Sequence, residues 1–272
     1  ITNAHYAHVS EFGTLKDIVN AKGEMVAQLP RDGVAILNKD DPYYEHWSSI
    51  NSSPNEINFS MTQDADIQLI GIKKLDNESY RLRVSCKDNG LIEVDYKTIS
   101  IHNIQNLLPA IAVGIKLKVS LEDIAHAIST MPQLAQRMAL KYHPDGYLVI
   151  DDTYNANPVS TLSALDSLNA MSKGKRVFIF GGMEELGSLS IELHSAVGKH
   201  ACNTVDIMIV LPGQAEIALN EFKGQKIVAK NHQDAINIAR IMIDNKSTIL
   251  VKGSRKAKME SIVSSLIQRS PL

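Results

Sequence analysis

The spacing of apolar residues changes character several times along the chain, and each change predicts a different kind of element. Residues 14–29, "TLKDIVNAKGEMVAQL", set Leu15, Ile18, Lys22, Met25 and Leu29 on one stripe at helical spacing, with Thr14 and Asp17 as a capping box. "GVAIL" (33–37) is a short continuous apolar run, as a buried strand requires, closed by the turn-forming "NKDDP". Across 55–97 the period drops to two. "YRLRVSCK" alternates, "DNG" marks a hairpin turn, and "LIEVDYK" answers it, which predicts an antiparallel section with one wet face. Helical spacing returns in "HNIQNLLPAIAVGIKLK" (102–118), where Pro109 is expected to kink or restart the helix, and in "SLEDIAHAIST" (120–130).

From about residue 134 short apolar runs alternate with helical stretches. "YLVID", "RVFIFG", "DIMIVL", "KIVA" and "TILVKG" read as strands; 158–172, 189–204, 213–221, 232–244 and 255–268 read as helices. Near-continuous apolar strands in β-α alternation predict an α/β domain with a doubly wound, Rossmann-like parallel sheet. Ligands of such sheets gather beyond the carboxyl ends of the strands. The expected division is 1–133 and 134–272.

Composition narrows the classes. At 272 residues the chain is long enough for two domains with separate cores, and 44% hydrophobic with 21% charged residues is a globular balance. A net charge of −2 gives no general pull toward nucleic acid or an anionic membrane, so no nucleic-acid partner is expected. No apolar run approaches the ~20 residues of a membrane span. Cys86 and Cys202 lack ligand-like spacing and read as reduced thiols, which points to the cytoplasm. Ile1 reads as the middle of a strand, so a piece of a longer protein is expected.

Lys22 occupies an apolar stripe, where an ammonium is costly unless paired or altered. It is either a lysine snorkelling to the surface or an amine that has captured carbon dioxide, giving an anionic carbamate with hard oxygen ligands. His8, in "AHVSEFG", is by itself an ordinary loop histidine. His102, Asn103 and Asn106 open a helix as "HNIQN" and suit either capping or a flat heterocycle. Arg137, in "PQLAQRM", is a solvated linker charge or a phosphate holder. "YLVIDDTYNANP" (147–158) carries more hydrogen-bonding side chains than a connecting turn needs, as though placed to hold something.

Taken in order, "ITNxxxAH", "AKGE" fourteen residues after the histidine, "LNxDD", "HNxxN", an arginine, "VIDDTYNANP", "GGMEELG" and "LVKGSR…ME" resemble the Mur ligases of peptidoglycan synthesis over essentially the whole chain. "DDTYNANP" and "KGSRKAKME" are the specific parts. They point to the member that adds D-alanyl-D-alanine to UDP-N-acetylmuramoyl-tripeptide. The resemblance implies ATP and Mg2+ as cofactors, an acyl phosphate intermediate, and those two substrates as partners of an enzyme expected to be a monomer. Residues 1–133 become the remainder of the central α/β ATPase domain, and 134–272 the C-terminal Rossmann-like domain.

By the resemblance Lys22 is the carbamylated lysine and His8 contributes to a magnesium site. Asn103 and Asn106 lie by the adenine, while Arg137 and Asp152 reach ATP, Asp152 suiting a ribose hydroxyl because a carboxylate only accepts. Tyr154, Asn155 and Asn157 line the substrate cleft. Lys252, Ser254 and Arg255 supply positive charge and donors for a substrate carboxylate. The family's G-x-x-x-x-G-K-[ST] loop and the acidic segment after it are absent and are expected before Ile1, so the chain alone is expected to be inactive. Gly182 stands where the family usually has Asp, and "KTISIHN" lacks the usual glycine before its histidine. Alternatives are another Mur-type amide ligase, folylpolyglutamate synthetase, or a non-catalytic nucleotide- or peptide-binding module.

Overall fold

A computed structural model of the chain describes residues 1–6, 13–76 and 78–268. Its described residues form two compact units, the first from 1–5 and 13–132, the second from Tyr6 and 133–268. In the first, helix α1 (Leu15–Ala27) begins at the capping box: the Thr14 hydroxyl accepts from the Asp17 N–H, and Asp17 Oδ2 accepts from the Thr14 N–H. Its buried face is Ile18, Val19, Gly23 and Val26, a rotation from the expected stripe that leaves Met25 61% exposed. The cause is Trp47 on the short helix α2 (Tyr44–Ser49). Its indole N–H donates to the Val19 carbonyl at 3.0 Å, and a Cβ on Gly23 would lie 3.3 Å from the indole ring. Only a residue without a side chain lets the two helices approach so closely.

The first unit's sheet runs in order β1 (Ala35–Asn38), β2 (Glu56–Ser60), β3 (Ile67–Lys74), β4 (Ser79–Cys86), β5 (Gly90–Lys97). The first three strands are parallel, so the antiparallel section begins only at β3, later than the sequence suggests. Leu82, Val84, Ile92 and Val94 point inward, while Arg81 pairs with Asp95 on the wet face at 2.7 Å. The inner face packs on α3 (Ile101–Lys116) and α4 (Leu121–Thr130). Pro109 does not interrupt α3. Lacking an N–H, it only deprives the Gln105 carbonyl of its helical donor.

The second unit is a six-stranded sheet ordered β10 (Gln225–Val228), β9 (Ile207–Val210), β8 (Arg176–Phe180), β11 (Thr248–Lys252), β7 (Leu148–Asp152), β6 (Ala139–Tyr142). All pairs are parallel except β6 with β7. The edge strand β6, only "ALKY", gave no sequence signal. Helix α5 (Pro158–Met171) packs on β8 and β11 and against α6 (Ser190–Thr204), which in turn meets the one-turn helix α7 (Ala218–Glu221). Helices α8 (His232–Met242) and α9 (Glu260–Leu266) cover the other face, packing Ala235, Ile236, Ile262 and Val263 on Val149, Ile179, Ile209 and Val251. Each of the buried valines and isoleucines contributes roughly 1.5–3 kcal/mol. Within 213–221 and 255–268 the helical spacing is realised as a 3-10 turn followed by a short α-helix. Among the described residues no helix is long and apolar enough to cross a membrane.

Candidate functional site

The central strands of the second sheet bury both faces, so polar groups can gather only where those strands end. The register sets Lys252 of β11 beside Asp152 of β7. Neighbours in register point to the same side, and the Lys252 ammonium donates to Asp152 Oδ2 at 2.5 Å. Lys252 is 1% exposed. An ammonium so placed is tolerable only with a counter-charge and hydrogen bonds; its second bond goes to the Asn155 carbonyl at 2.9 Å. The other Asp152 oxygen accepts from the Met138 N–H at 3.1 Å.

The rest of the loop is equally engaged. Thr153 donates to Asp151 Oδ1 at 2.7 Å; burial nevertheless raises the Asp151 pKa, the hydrogen bond acting against it. Asn155 Oδ1 accepts from the Ala156 N–H and, at 3.3 Å, from the Arg255 N–H. Asn157 caps α5, accepting from the Ser160 N–H at 2.9 Å with Pro158 at the first helical position. The exposed Arg137 guanidinium lies 4.0 Å over the centre of the Tyr154 ring. Most of the polarity of "DDTYNANP" thus holds the loop itself together.

Asn155, Ala156, Asn157, Glu184, Glu185, Leu186, Ser254, Arg255 and Lys256 line an open cleft at these strand ends. Gly253 lets the β11 exit pass beside β8, since a Cβ there would lie 3.0 Å from the Gly181 Cα. Gly182 has φ +80°, a conformation an aspartate adopts less readily, and its carbonyl accepts from the Ser254 N–H at 2.9 Å. Arg255 is exposed, with Nη1 3.3 Å from Gln136 Oε1 and 3.2 Å from Glu260 Oε1. The second Glu260 oxygen is buried with no partner. Lys256 approaches Glu184 at 3.8 Å.

Seven sequence-derived residues therefore meet at one pole of the second unit: Asp152, Tyr154, Asn155, Asn157, Lys252, Ser254 and Arg255, with Arg137 beside Tyr154. One differs from expectation. Lys252 is not an open positive charge, because Asp152 and Asn155 enclose it. Asp152 takes one protein donor on each oxygen and keeps lone pairs for a further one. Gln136, Glu184, Lys256 and Glu260 join them without a sequence-derived role, although Glu184 lies in "GGMEELG" and Lys256 and Glu260 in "KGSRKAKME".

In the first unit Lys22 is half-buried and donates to the Asn3 carbonyl at 2.6 Å. Burial lowers its pKa, with Asp41 acting in the opposite sense. Asp41 itself receives the Ala4 and Tyr43 N–H groups, and Asp40 receives Ser60, Met61 and Thr62, so the acidic pair of "NKDDP" secures loops. Asn103 donates to Thr98 Oγ1 at 3.1 Å, and Asn106 is exposed one turn later on α3. His8 lies outside the described residues. Among the described residues no three His, Cys, Asp or Glu side chains form a metal-binding group.

Family profiles separate the same two regions. The Mur ligase middle domain matches residues 1–114, and the Mur ligase glutamate ligase domain matches 136–255. The chain belongs to the Mur ligase family. The UDP-N-acetylmuramoyl-tripeptide–D-alanyl-D-alanine ligase of Buchnera aphidicola subsp. Baizongia pistaciae is 30% identical over 98% of this Mur ligase chain and 58% of its own length. The Escherichia coli ligase of the same description is 29% identical over 98% and 59%. A crystal structure of MurF from Acinetobacter baumannii superposes with a TM-score of 0.88 at 27% identity, covering 99% of this chain and 59% of that one. A Thermotoga maritima MurF, solved in complex with ADP, shares the fold at 20% identity and TM-score 0.84, over 97% of this chain and 61% of that one. The chain spans about three-fifths of the length of these relatives.

Proposed function

We propose that this chain is the larger part of an ATP-dependent amide ligase that adds D-alanyl-D-alanine to UDP-N-acetylmuramoyl-tripeptide in the cytoplasm, acting as a monomer. Residues 1–133 are read as the remainder of the ATPase domain and 134–272 as the C-terminal domain. The observation that carries the reading is the meeting of "DDTYNANP" and "KGSRKAKME" in one cleft, by way of Lys252–Asp152 and the Arg255 N–H on Asn155. In this reading a tripeptide carboxylate is first phosphorylated, then attacked by the dipeptide amine, with phosphate leaving.

The roles follow from placement. Arg255, with an exposed planar fork, receives the dipeptide carboxylate; the Ser254 backbone and Asn155 fix its approach. Arg137, set on Tyr154, reaches a phosphate, and Asp152 serves the nucleotide by holding Met138 beside it. Asn103 and Asn106, three residues apart on one face of α3, suit an adenine edge. Lys22 fits a carbamate, because a desolvated lysine lies closer to the neutral amine from which carbamates form. The carbamate oxygens would help hold a magnesium ion, His8 being the second proposed ligand; when bound, the ion offsets negative charge on the phosphates.

The test is turnover by the full-length gene product that contains this chain. ADP release is expected to require both the UDP-linked tripeptide and D-alanyl-D-alanine. Release with single amino acids or glutamate in place of the dipeptide, and none with D-alanyl-D-alanine, would favour another amide ligase.

A further inference from the structure

We infer that Lys252 is a positioning residue that couples the nucleotide side of the proposed site to its dipeptide side, and does not itself bind the dipeptide. The enclosed ammonium makes two bonds, to Asp152 Oδ2 at 2.5 Å and to the Asn155 carbonyl at 2.9 Å. Through Asp152 it reaches the backbone of Met138, whose N–H lies 3.1 Å from Oδ1. Through Asn155 it reaches the backbone of Arg255, whose N–H lies 3.3 Å from the side-chain oxygen. The ring closes where Arg255 Nη1 meets Gln136 Oε1 at 3.3 Å.

One buried cation therefore fixes two segments at once. The first, 136–138, carries Arg137 between two residues of positive φ, Gln136 at 61° and Met138 at 55°. Such a backbone is held only when its surroundings over-determine it. The second is the loop beyond β7 with the Arg255 backbone against it. Buried ion pairs contribute little net stability compared with apolar packing of the same volume. What this one supplies is geometry: a single ammonium whose two acceptors lie on different parts of the loop, each acceptor residue bonded onward to a different segment. An ordinary anchor for a carboxylate would need an ammonium open to solvent, and this one is 1% exposed.

The inference rests on the ligase reading for its kinetic arm only. The structural arm uses the 272-residue chain and amide hydrogen exchange. Lys252→Met should speed exchange at Met138, which it does not touch, and Asp152→Asn should speed exchange at Arg255, which Asp152 does not touch, each about tenfold, with β9 unchanged. The milder Asp152→Asn keeps the test available if Lys252→Met fails to fold. In the full-length enzyme Lys252→Met should raise the KM for ATP and for D-alanyl-D-alanine together, each about tenfold, with Lys252→Arg recovering part of both. A rise confined to D-alanyl-D-alanine would make Lys252 a direct anchor and overturn the inference. Unchanged exchange at Met138 in Lys252→Met, or at Arg255 in Asp152→Asn, would overturn it too. If the wild-type enzyme shows no dipeptide-dependent turnover, the ligase reading falls and the exchange arm alone decides the coupling.

Discussion

At the end of β7 nearly every polar side chain is already bonded within the protein, whereas around α1 and the start of α3 the candidate groups are only loosely engaged. Asp152 and Lys252 pair with each other, and the side-chain oxygens of Asn155 and Asn157 accept from backbone N–H groups. Lys22 has one carbonyl, Asn103 one hydroxyl, and Asn106 faces solvent. The first arrangement is a finished scaffold that presents Arg255 and Arg137. The second is a set of groups with bonding capacity left for the ligands and the carbamate proposed above. Substitutions should therefore damage folding at one and activity at the other.

The largest effect on stability is expected at the scaffold. Asp152→Ala leaves the enclosed Lys252 ammonium without its counter-charge and should cost the second unit about 3–5 kcal/mol, read by denaturant unfolding. A cost as small as that of an exposed substitution would break the contrast. Lys22→Ala should do the opposite in the full-length enzyme. Activity is expected to fall by about two orders of magnitude or more (about 2.7 kcal/mol of transition-state stabilisation), while stability changes by less than about 1.5 kcal/mol. Short carboxylates added in solution should restore part of the activity. Near-normal turnover across a range of bicarbonate concentrations would remove the carbamate from the account.

Arg255→Lys is a smaller change. It keeps the charge but loses the fork, so the KM for D-alanyl-D-alanine should rise several-fold with that for ATP nearly constant. Equal movement of both would place Arg255 with Lys252 in the scaffold.

The smallest effect belongs to a buried group with no proposed ligand. His194 donates from Nδ1 to the Ser190 carbonyl at 2.8 Å and accepts at Nε2 from the Met183 N–H at 3.0 Å, which fixes the neutral ring. Burial lowers its pKa from the ordinary 6.5. Between the lowered folded value and 6.5 the unfolded chain binds the proton and the folded one does not. Stability from this group is therefore complete above pH 6.5 and is lost as the pH falls below it. His194→Gln should flatten that part of the stability–pH curve; an unchanged slope would show that other groups set it.

The sequence showed the alternation of β-α units, the hairpin at "DNG" and the Thr14–Asp17 cap, because each rests on local spacing. It did not show β6, four residues without periodicity, nor the rotation of α1, which is imposed by Trp47 from a distant helix. The same limit governs the site. The motif strings located the loop, but the register that sets Lys252 beside Asp152 joins residues a hundred positions apart. Without that register both side chains read as open ligand groups. Asn157 could have been recognised as a cap from the proline that follows it.

The most direct test of the proposed dipeptide site compares D-alanyl-D-alanine with its C-terminal amide in the full-length enzyme and in Arg255→Ala. If Arg255 receives the dipeptide's carboxylate, the wild type should favour the free acid by about a hundredfold in kcat/KM, and Arg255→Ala should lose most of that preference. An Arg255→Ala enzyme that prefers the free acid as strongly as the wild type would contradict the account.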